Sequence, residues 1–491
     1  MSAMPGVTSQ SARFSGRTAA AIVLALTGVR ILVLALSELN LHGDEAQYWS
    51  WAQDLAFGYV SKPPMVAWII AAATAVCGDG EACVRVASPL FHAATSGMIF
   101  LLGRELFDRR AGFWACITYA TLPAVSYSSG LITTDVPLLF FWSVALYAFV
   151  RLSRSGHGAW GIVLGAALGL GLLSKYAMVY FLLCALVHGA LSAAARRVLL
   201  SRHTAVALVL GAIIVAPNVL WNVQNGWATL SHTAANANWS GPLFHPGRML
   251  EFVGAQFGVF GPLLFAALMW WLAAGRPWRG NEAERLLFAF AVPVLLVVTV
   301  QSLLSRANAN WAAVVYVAAS VAVVAWLARR DRWRLVRLSF GLHLAVAAML
   351  YGLVIGASGG GLPAQYDAFA RLRGWDTLGN AVAALMAERS DATVLTDDRM
   401  VMAELLYYTR DRNIPIVIWD ADGAPGNQYE MTAPLTTATS ARVLYVTSWS
   451  EPGAILSRFA AAQPLPTLTV PDRPGRSRTF YMYDLDGYQG R

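Results

Sequence analysis

Two adjacent acidic residues, Asp44 and Glu45, follow the first long apolar run of the chain. Tyr48, Trp49, Trp51 and Tyr59 come next, and then Lys62 ahead of Pro63-Pro64. A carboxylate can take the proton of an attacking hydroxyl, and a nearby ammonium can steady a departing anion. Three more charges stand singly at the ends of apolar runs: Asp135, Lys175 and Arg306. An isolated charge at the mouth of an apolar span is costly, so each asks for a chemical explanation. Each residue also has a plainer reading. Asp44 and Asp135 are suited to cap helices, with Pro137 just inside the second; Lys175 can snorkel and Arg306 can cap a helix C-terminus. Capping and catalysis are compatible.

The elements that must position these residues are apolar. Of 491 residues, 57% are hydrophobic and 13% charged, which excludes an ordinary soluble protein. Eleven segments approach the length of a membrane span, near 19–37, 84–103, 111–127, 135–150, 159–174, 176–194, 204–220, 249–272, 286–304, 310–328 and 338–357. Arginines cluster on every second connection: Arg13/Arg17, Arg104/Arg109/Arg110, Arg151/Arg154, Arg196/Arg197/Arg202, Arg276/Arg279/Arg285, and Arg329 to Arg337. By the positive-inside rule these connections are cytoplasmic, and Lys62, Lys175, Arg248 and Arg306 lie outside. The net charge of +8 resides in these short clusters and forms no continuous basic face, so nucleic acid is not expected as a partner. The run Ala19–Leu36 is read as an uncleaved anchor, although Ala35-Leu36-Ser37 would pass as a cleavage site.

The domain expectation is a membrane domain over 1–360, with its chemistry in the first external loop at 38–62, followed by a soluble α/β domain over 361–491. Gly359-Gly360-Gly361 is the expected hinge. Strands are expected at Ala392–Thr396, Ile414–Asp420, Arg442–Thr447 and Thr479–Leu485, and helices at Leu378–Glu388, Met400–Thr409 and Pro452–Ala462. The residues after Asp44 predict an interfacial helix with its carboxylates at headgroup level, and Met65–Val76 a helix too brief to cross. The Asn218–Arg248 loop, rich in Asn, Trp and His, suits sugar contacts and holds the sequon Asn238-Trp239-Ser240. Cys77 and Cys83 flank Gly78-Asp79-Gly80, and whether they pair stays open. His42, His232 and His245 could join Glu45 around a divalent cation, but no H-x₃-H or H-E-x-x-H spacing supports a metal site.

Four motifs carry a resemblance: Gly43-Asp44-Glu45 with Tyr48-Trp49, Gly58-Tyr59 before Lys62-Pro63-Pro64, Thr134-Asp135-Val136-Pro137, and Leu172-Leu173-Ser174-Lys175-Tyr176. In this order the chain resembles the dolichyl-phosphate-mannose protein mannosyltransferase family, glycosyltransferase family 39. It is most similar to bacterial members that place aminoarabinose or galacturonate on lipid A. The resemblance implies a mainly α, polytopic GT-C fold, and with the segments above an enzyme of about eleven spans plus a small periplasmic α/β domain. It implies inverting transfer from a polyprenyl-phosphate sugar and makes Asp44 the essential first-loop carboxylate. Asp44 and Glu45 are therefore the expected catalytic pair, and Tyr48, Tyr59, Lys62, Asp135, Lys175 and Arg306 the expected substrate contacts. The expected partners are the lipid-linked donor, a lipid A, lipopolysaccharide or other glycan acceptor, and the lipids of the bacterial inner membrane. The active site and the C-terminus are expected in the periplasm. Protein O-mannosyl transfer and a multi-spanning transporter are the alternatives. The transporter is disfavoured because the charges sit at span ends and no internal repeat is visible.

Overall fold

A backbone in hydrocarbon has no water to bond, so an apolar run satisfies its N–H and C=O groups by coiling on itself. A computed structural model describes residues 14–239, 243–358, 365, 367–439, 442–473 and 475–490. Arg13, the glycines Gly359-Gly360-Gly361 and Ser240 of the sequon lie outside these residues. Among the described residues, six helices are long and apolar enough to cross a membrane: Gly16–Leu36, Glu81–Leu106, Asp135–Ser155, Arg202–Gln224, Glu282–Leu304 and Trp333–Ser358. A seventh crossing arises if Pro246–Val259 and Pro262–Gly275, bent by 115°, count as one. Shorter apolar helices fill Met65–Cys77, Ala159–Ser174, Tyr176–Leu191 and Val315–Arg329.

Contacts divide the chain into two compact units. The first comprises Met1–Leu34, Lys62–Val66 and Arg85–Tyr351; the second comprises Ala35–Ser61, Ala67–Val84 and Gly352–Arg491. The segment bearing Asp44 thus belongs to the same unit as the C-terminal α/β region.

In the first unit, one helix break is set by proline. The helix Arg109–Thr121 ends where Pro123 removes a donor, and Pro123–Ser128 restarts in a new direction. The carbonyl of Ala120 freed there accepts a hydrogen bond from buried Arg30 of the first span, whose Nε donates to the Tyr351 hydroxyl at 3.0 Å. Close approach decides another pair: Ala159–Ser174 lies against Arg202–Gln224 along Gly161, Gly165 and Gly169. A Cβ at Gly165 would stand 2.5 Å from the Ala207 carbonyl oxygen, so only hydrogen fits. Leu24, Ile213, Leu296 and Met349 remain exposed, as side chains facing hydrocarbon would be.

The arginine-rich connections gather at one end of this unit. Arg151 and Arg154 pair with Glu105, Arg329 with Glu284 at 2.5 Å, and Arg285 and His188 with Glu282; Arg110 stacks 3.8 Å from the Trp333 ring. Asp135, at the opposite end of the 21-residue helix that carries Arg154, marks the other end.

In the second unit a five-stranded sheet has the order β2-β1-β3-β5-β4, where β1 is Thr393–Thr396, β2 Ile416–Ile418, β3 Arg442–Thr447, β4 Phe459–Arg473 and β5 Arg476–Tyr488. β1 runs parallel to β2 and β3, while β5 is antiparallel to β3 and β4. The expected helix over Pro452–Ala462 is corrected. Only Gly453–Leu456 is helical, and β4 begins at Phe459. Ala460 to Ala462 favour a helix intrinsically, but pairing with β5 overrides that preference. Pro464, Pro466 and Pro471 are tolerated because β4 is an edge strand. Cys77 and Cys83 form a disulfide across the Gly78-Asp79-Gly80 turn, with Cα atoms 5.9 Å apart.

Candidate functional site

The acidic pair sits at the start of the helix Gly43–Gln53. His42 is the N-cap; its Nδ1 accepts from the Asp44 amide at 3.2 Å, while the Glu45 carboxylate accepts from the His42 amide at 3.0 Å. This reciprocal box is a strong helix start. It commits the buried Glu45 to the backbone and leaves the Asp44 side chain 47% accessible, so the two acids differ in what they can offer. Instead of one wet and one apolar face, the helix is buried all round: eight of its eleven residues are buried, among them Trp49 and Trp51. The aromatic side chains that suggested an interfacial helix pack within the protein.

Side chains distant in sequence hold this helix along its length. Arg399 Nη1 reaches Asp44 Oδ1 at 3.3 Å and also donates to Gln47 Oε1. Met400 fills the notch at Gly43, where a Cβ would lie 2.2 Å from its terminal methyl. The Tyr408 hydroxyl accepts from the Leu41 amide at 2.8 Å, and Ser50 shares a 2.7 Å hydrogen bond with Tyr429. Asp79, in the disulfide-closed turn, accepts from Trp49 Nε1 at 2.7 Å and from the Tyr407 hydroxyl. Tyr48 and Tyr59 are both buried. The Tyr59 ring stacks on Trp51 at 4.4 Å, and its hydroxyl donates to the Trp51 carbonyl at 2.9 Å and accepts from the Ala56 amide at 3.1 Å. Burial pushes the Tyr59 hydroxyl up to about 12, so it stays a neutral donor near neutral pH.

In the first unit Asp135 and Lys175 come together. Lys175 Nζ donates to Asp135 Oδ1 at 2.7 Å, and Asn310 Nδ2 to Oδ2 at 2.7 Å. Asp135 occupies the first turn of its helix and Lys175 the C-cap of Ala159–Ser174, so each charge also suits the helix end it stands on. The break after Lys175 is fixed by Tyr176, whose hydroxyl donates to Asn218 Oδ1 at 2.8 Å and accepts from Asn222 at 3.3 Å. Asp135 and Asn310 line a cavity of about 510 Å³ whose other walls are largely apolar, including Leu122, Val125, Leu139 and Val259. His92 and Tyr119 add a polar patch to it, hydrogen-bonded to each other at 3.2 Å. Lys62 is half-buried in this unit, and Arg306 is exposed just beyond the helix Val292–Leu304. Among the described residues no three His, Cys, Asp or Glu side chains gather as a metal site, so the cation considered for Glu45 and the external histidines has no ligand set here. Sequence reasoning missed Asn310, Gln47 and Arg399. An asparagine between two apolar runs was a readable signal, whereas nothing local marks Arg399.

The chain is similar to known proteins in sequence and in fold. Residues 61–221 match the family model described as dolichyl-phosphate-mannose-protein mannosyltransferase. The chain is 33% identical over 435 residues to the lipid A galacturonosyltransferase of Rhizobium johnstonii, covering 88% of this chain and 91% of that one. It is 29% identical over 168 residues to an undecaprenyl phosphate-alpha-4-amino-4-deoxy-L-arabinose arabinosyl transferase of Pseudomonas aeruginosa, covering 30% of this chain and 31% of that one. The crystal structure of ArnT from Cupriavidus metallidurans bound to undecaprenyl phosphate superposes with a TM-score of 0.61 at 18% identity, covering 94% of this chain and 98% of that one. The fold is therefore that of the GT-C membrane glycosyltransferases. With 33% identity over an alignment that spans nearly the whole of the Rhizobium enzyme, the chain belongs to the dolichyl-phosphate-mannose protein mannosyltransferase family, glycosyltransferase family 39, and is a multi-pass membrane glycosyltransferase.

Proposed function

We propose that this enzyme moves a uronic acid from a polyprenyl phosphate to lipid A on the periplasmic face of the bacterial inner membrane. The observation that carries the donor is the largely apolar cavity lined by Asp135 and Asn310, with Lys175 bound to Asp135 at 2.7 Å. That combination suits an isoprenoid with an anionic head. The acceptor and the sugar rest on the 33% identical relative, whose name states both. Eleven spans follow if the shorter apolar helices Ala159–Ser174, Tyr176–Leu191 and Val315–Arg329, and the broken pair Arg109–Thr121 and Pro123–Ser128, also cross. With the arginine end in the cytoplasm, Asp135 and Lys175 then face the periplasm.

In the proposed reaction an acceptor oxygen attacks the anomeric carbon, the bond to the phosphate oxygen breaks, and the electron pair leaves with the lipid phosphate. Configuration inverts. Asp44 takes the proton of a hydroxyl acceptor, and it serves this role better than Glu45 because its carboxylate is not used by the helix cap. Lys62, Lys175 and Arg306 supply positive charge to the departing phosphate. Tyr59 holds the turn after the Asp44 helix through its hydroxyl, and Tyr48 packs against Trp51 within that helix. Mass spectrometry of lipid A from a deletion strain should show loss of one uronosyl residue. The wild-type gene should restore it and Asp44→Asn should not. Unchanged lipid A in the deletion strain would refute the acceptor, and restoration by Asp44→Asn would refute the base.

A further inference from the structure

We propose that Arg399 is a positioning residue that sets the direction of the Asp44 carboxylate, through a grip on the helix Gly43–Gln53 exerted from the C-terminal α/β region. This rests on the reading of Asp44 as the catalytic carboxylate. One guanidinium nitrogen serves two side chains one helical turn apart, Asp44 Oδ1 at 3.3 Å and Gln47 Oε1. Residues three apart share a helix face, so the contact fixes both the rotation of the helix and the rotamer of Asp44. The next residue, Met400, occupies the notch that Gly43 leaves open. Asp398, just before them, accepts from the Met400 amide at 2.6 Å and the Val401 amide at 3.1 Å; this N-cap starts the helix Arg399–Tyr408 with Arg399 pointing at its targets.

Three consecutive residues thus form one device: a cap, an electrostatic hook and a packing peg. Arg399 and Asp44 keep 43% and 47% of their side-chain surface, and a pair that open adds little to stability. Its effect falls on orientation. A carboxylate displaced by about 1 Å from its attack geometry loses roughly a hundredfold in rate without losing its charge.

The test uses the full-length protein in detergent with a polyprenyl-phosphate sugar donor and lipid A, and reads kcat, KM for the donor and melting temperature. Arg399→Met is expected to lower kcat about 10- to 100-fold, with donor KM and melting temperature nearly unchanged, and Arg399→Lys to recover part of the loss. Gly43→Ala displaces Met400 and should lower kcat, and Met400→Ala in that background should restore it. An undiminished kcat in Arg399→Met beside an inactive Asp44→Asn overturns the positioning role and leaves the function reading standing. Activity in Asp44→Asn removes the reading on which the inference rests. If Arg399→Met lowers the melting temperature in step with kcat, or Met400→Ala fails to rescue Gly43→Ala, the role is structural and the inference falls.

Discussion

At the residue scale, the Asp135–Lys175 pair does more than balance charge. Asp135 is 8% exposed and engaged at both oxygens, so removing Lys175 leaves a buried carboxylate with one neutral partner. Lys175→Met should lower kcat/KM for the donor by about 10²- to 10³-fold. Asp135→Asn should lower it too, and the double variant should lose less than the two single losses combined. Additive losses would show that the two act separately. A second cluster concerns folding alone. Arg442 grips the Asp484 carboxylate at 2.6 and 3.1 Å, with Arg389 at 3.1 Å, and these bonds hold Asp484 below the usual carboxylate range. Asp484→Asn should lower the melting temperature of the protein near neutral pH. Because the folded-state value is the lower one, this contribution is complete above the unfolded carboxylate pKa of roughly 3.9 and fades as pH falls through the folded value. The gap in melting temperature between wild type and Asp484→Asn should therefore hold from neutral pH to about pH 4 and close below it. The meeting of Asp135 with Lys175 was legible because isolated charges in apolar runs are rare enough to be read singly. Arg399 was not, since it lies among other charged residues of the α/β region and its partner is 355 positions away.

At the element scale, what decides position is how closely backbones approach and where they break. Ala159–Ser174 carries Lys175 at its end, and the glycine seam against Arg202–Gln224 sets where that end lies. Gly165→Leu should push the helices apart and cost about 1–3 kcal/mol, read as a lower melting temperature and reduced donor turnover. A variant as stable as wild type would mean that the seam is not packed as described. Most elements could be read from sequence pattern, including β3 at Arg442–Thr447, because a short, continuously buried run rich in β-branched and aromatic residues is bounded by serines there. The failure at Pro452–Ala462 shows the limit. Three alanines look helical when alone, and only the presence of β5 beside them makes a strand the better choice. The Asp44 helix failed differently: its tryptophans indicate an apolar surrounding but not whether lipid or protein supplies it.

At the scale of the whole molecule, the bundle shows polarity in its charges. Salt bridges and cation–π contacts tie the arginine-bearing connections together at one end, whereas the Asp135–Lys175–Asn310 cluster occupies the other. Single cysteines introduced at Ser153 and Ala194 should be shielded from a membrane-impermeant thiol reagent in intact cells, and one at Ser450 should react. Labelling of the first two without the third would reverse the proposed orientation, and labelling of all three would contradict it. One contact has a consequence for biosynthesis. Leu41 bonds to Tyr408, and Asp44 to Arg399, across more than 350 residues of chain. Asp44 leaves the ribosome early, and the residues that grip it arrive last. Nascent or truncated chains therefore carry the acidic loop without its clamp, so the helix that starts at Gly43 gains these partners only once the last hundred or so residues have been made.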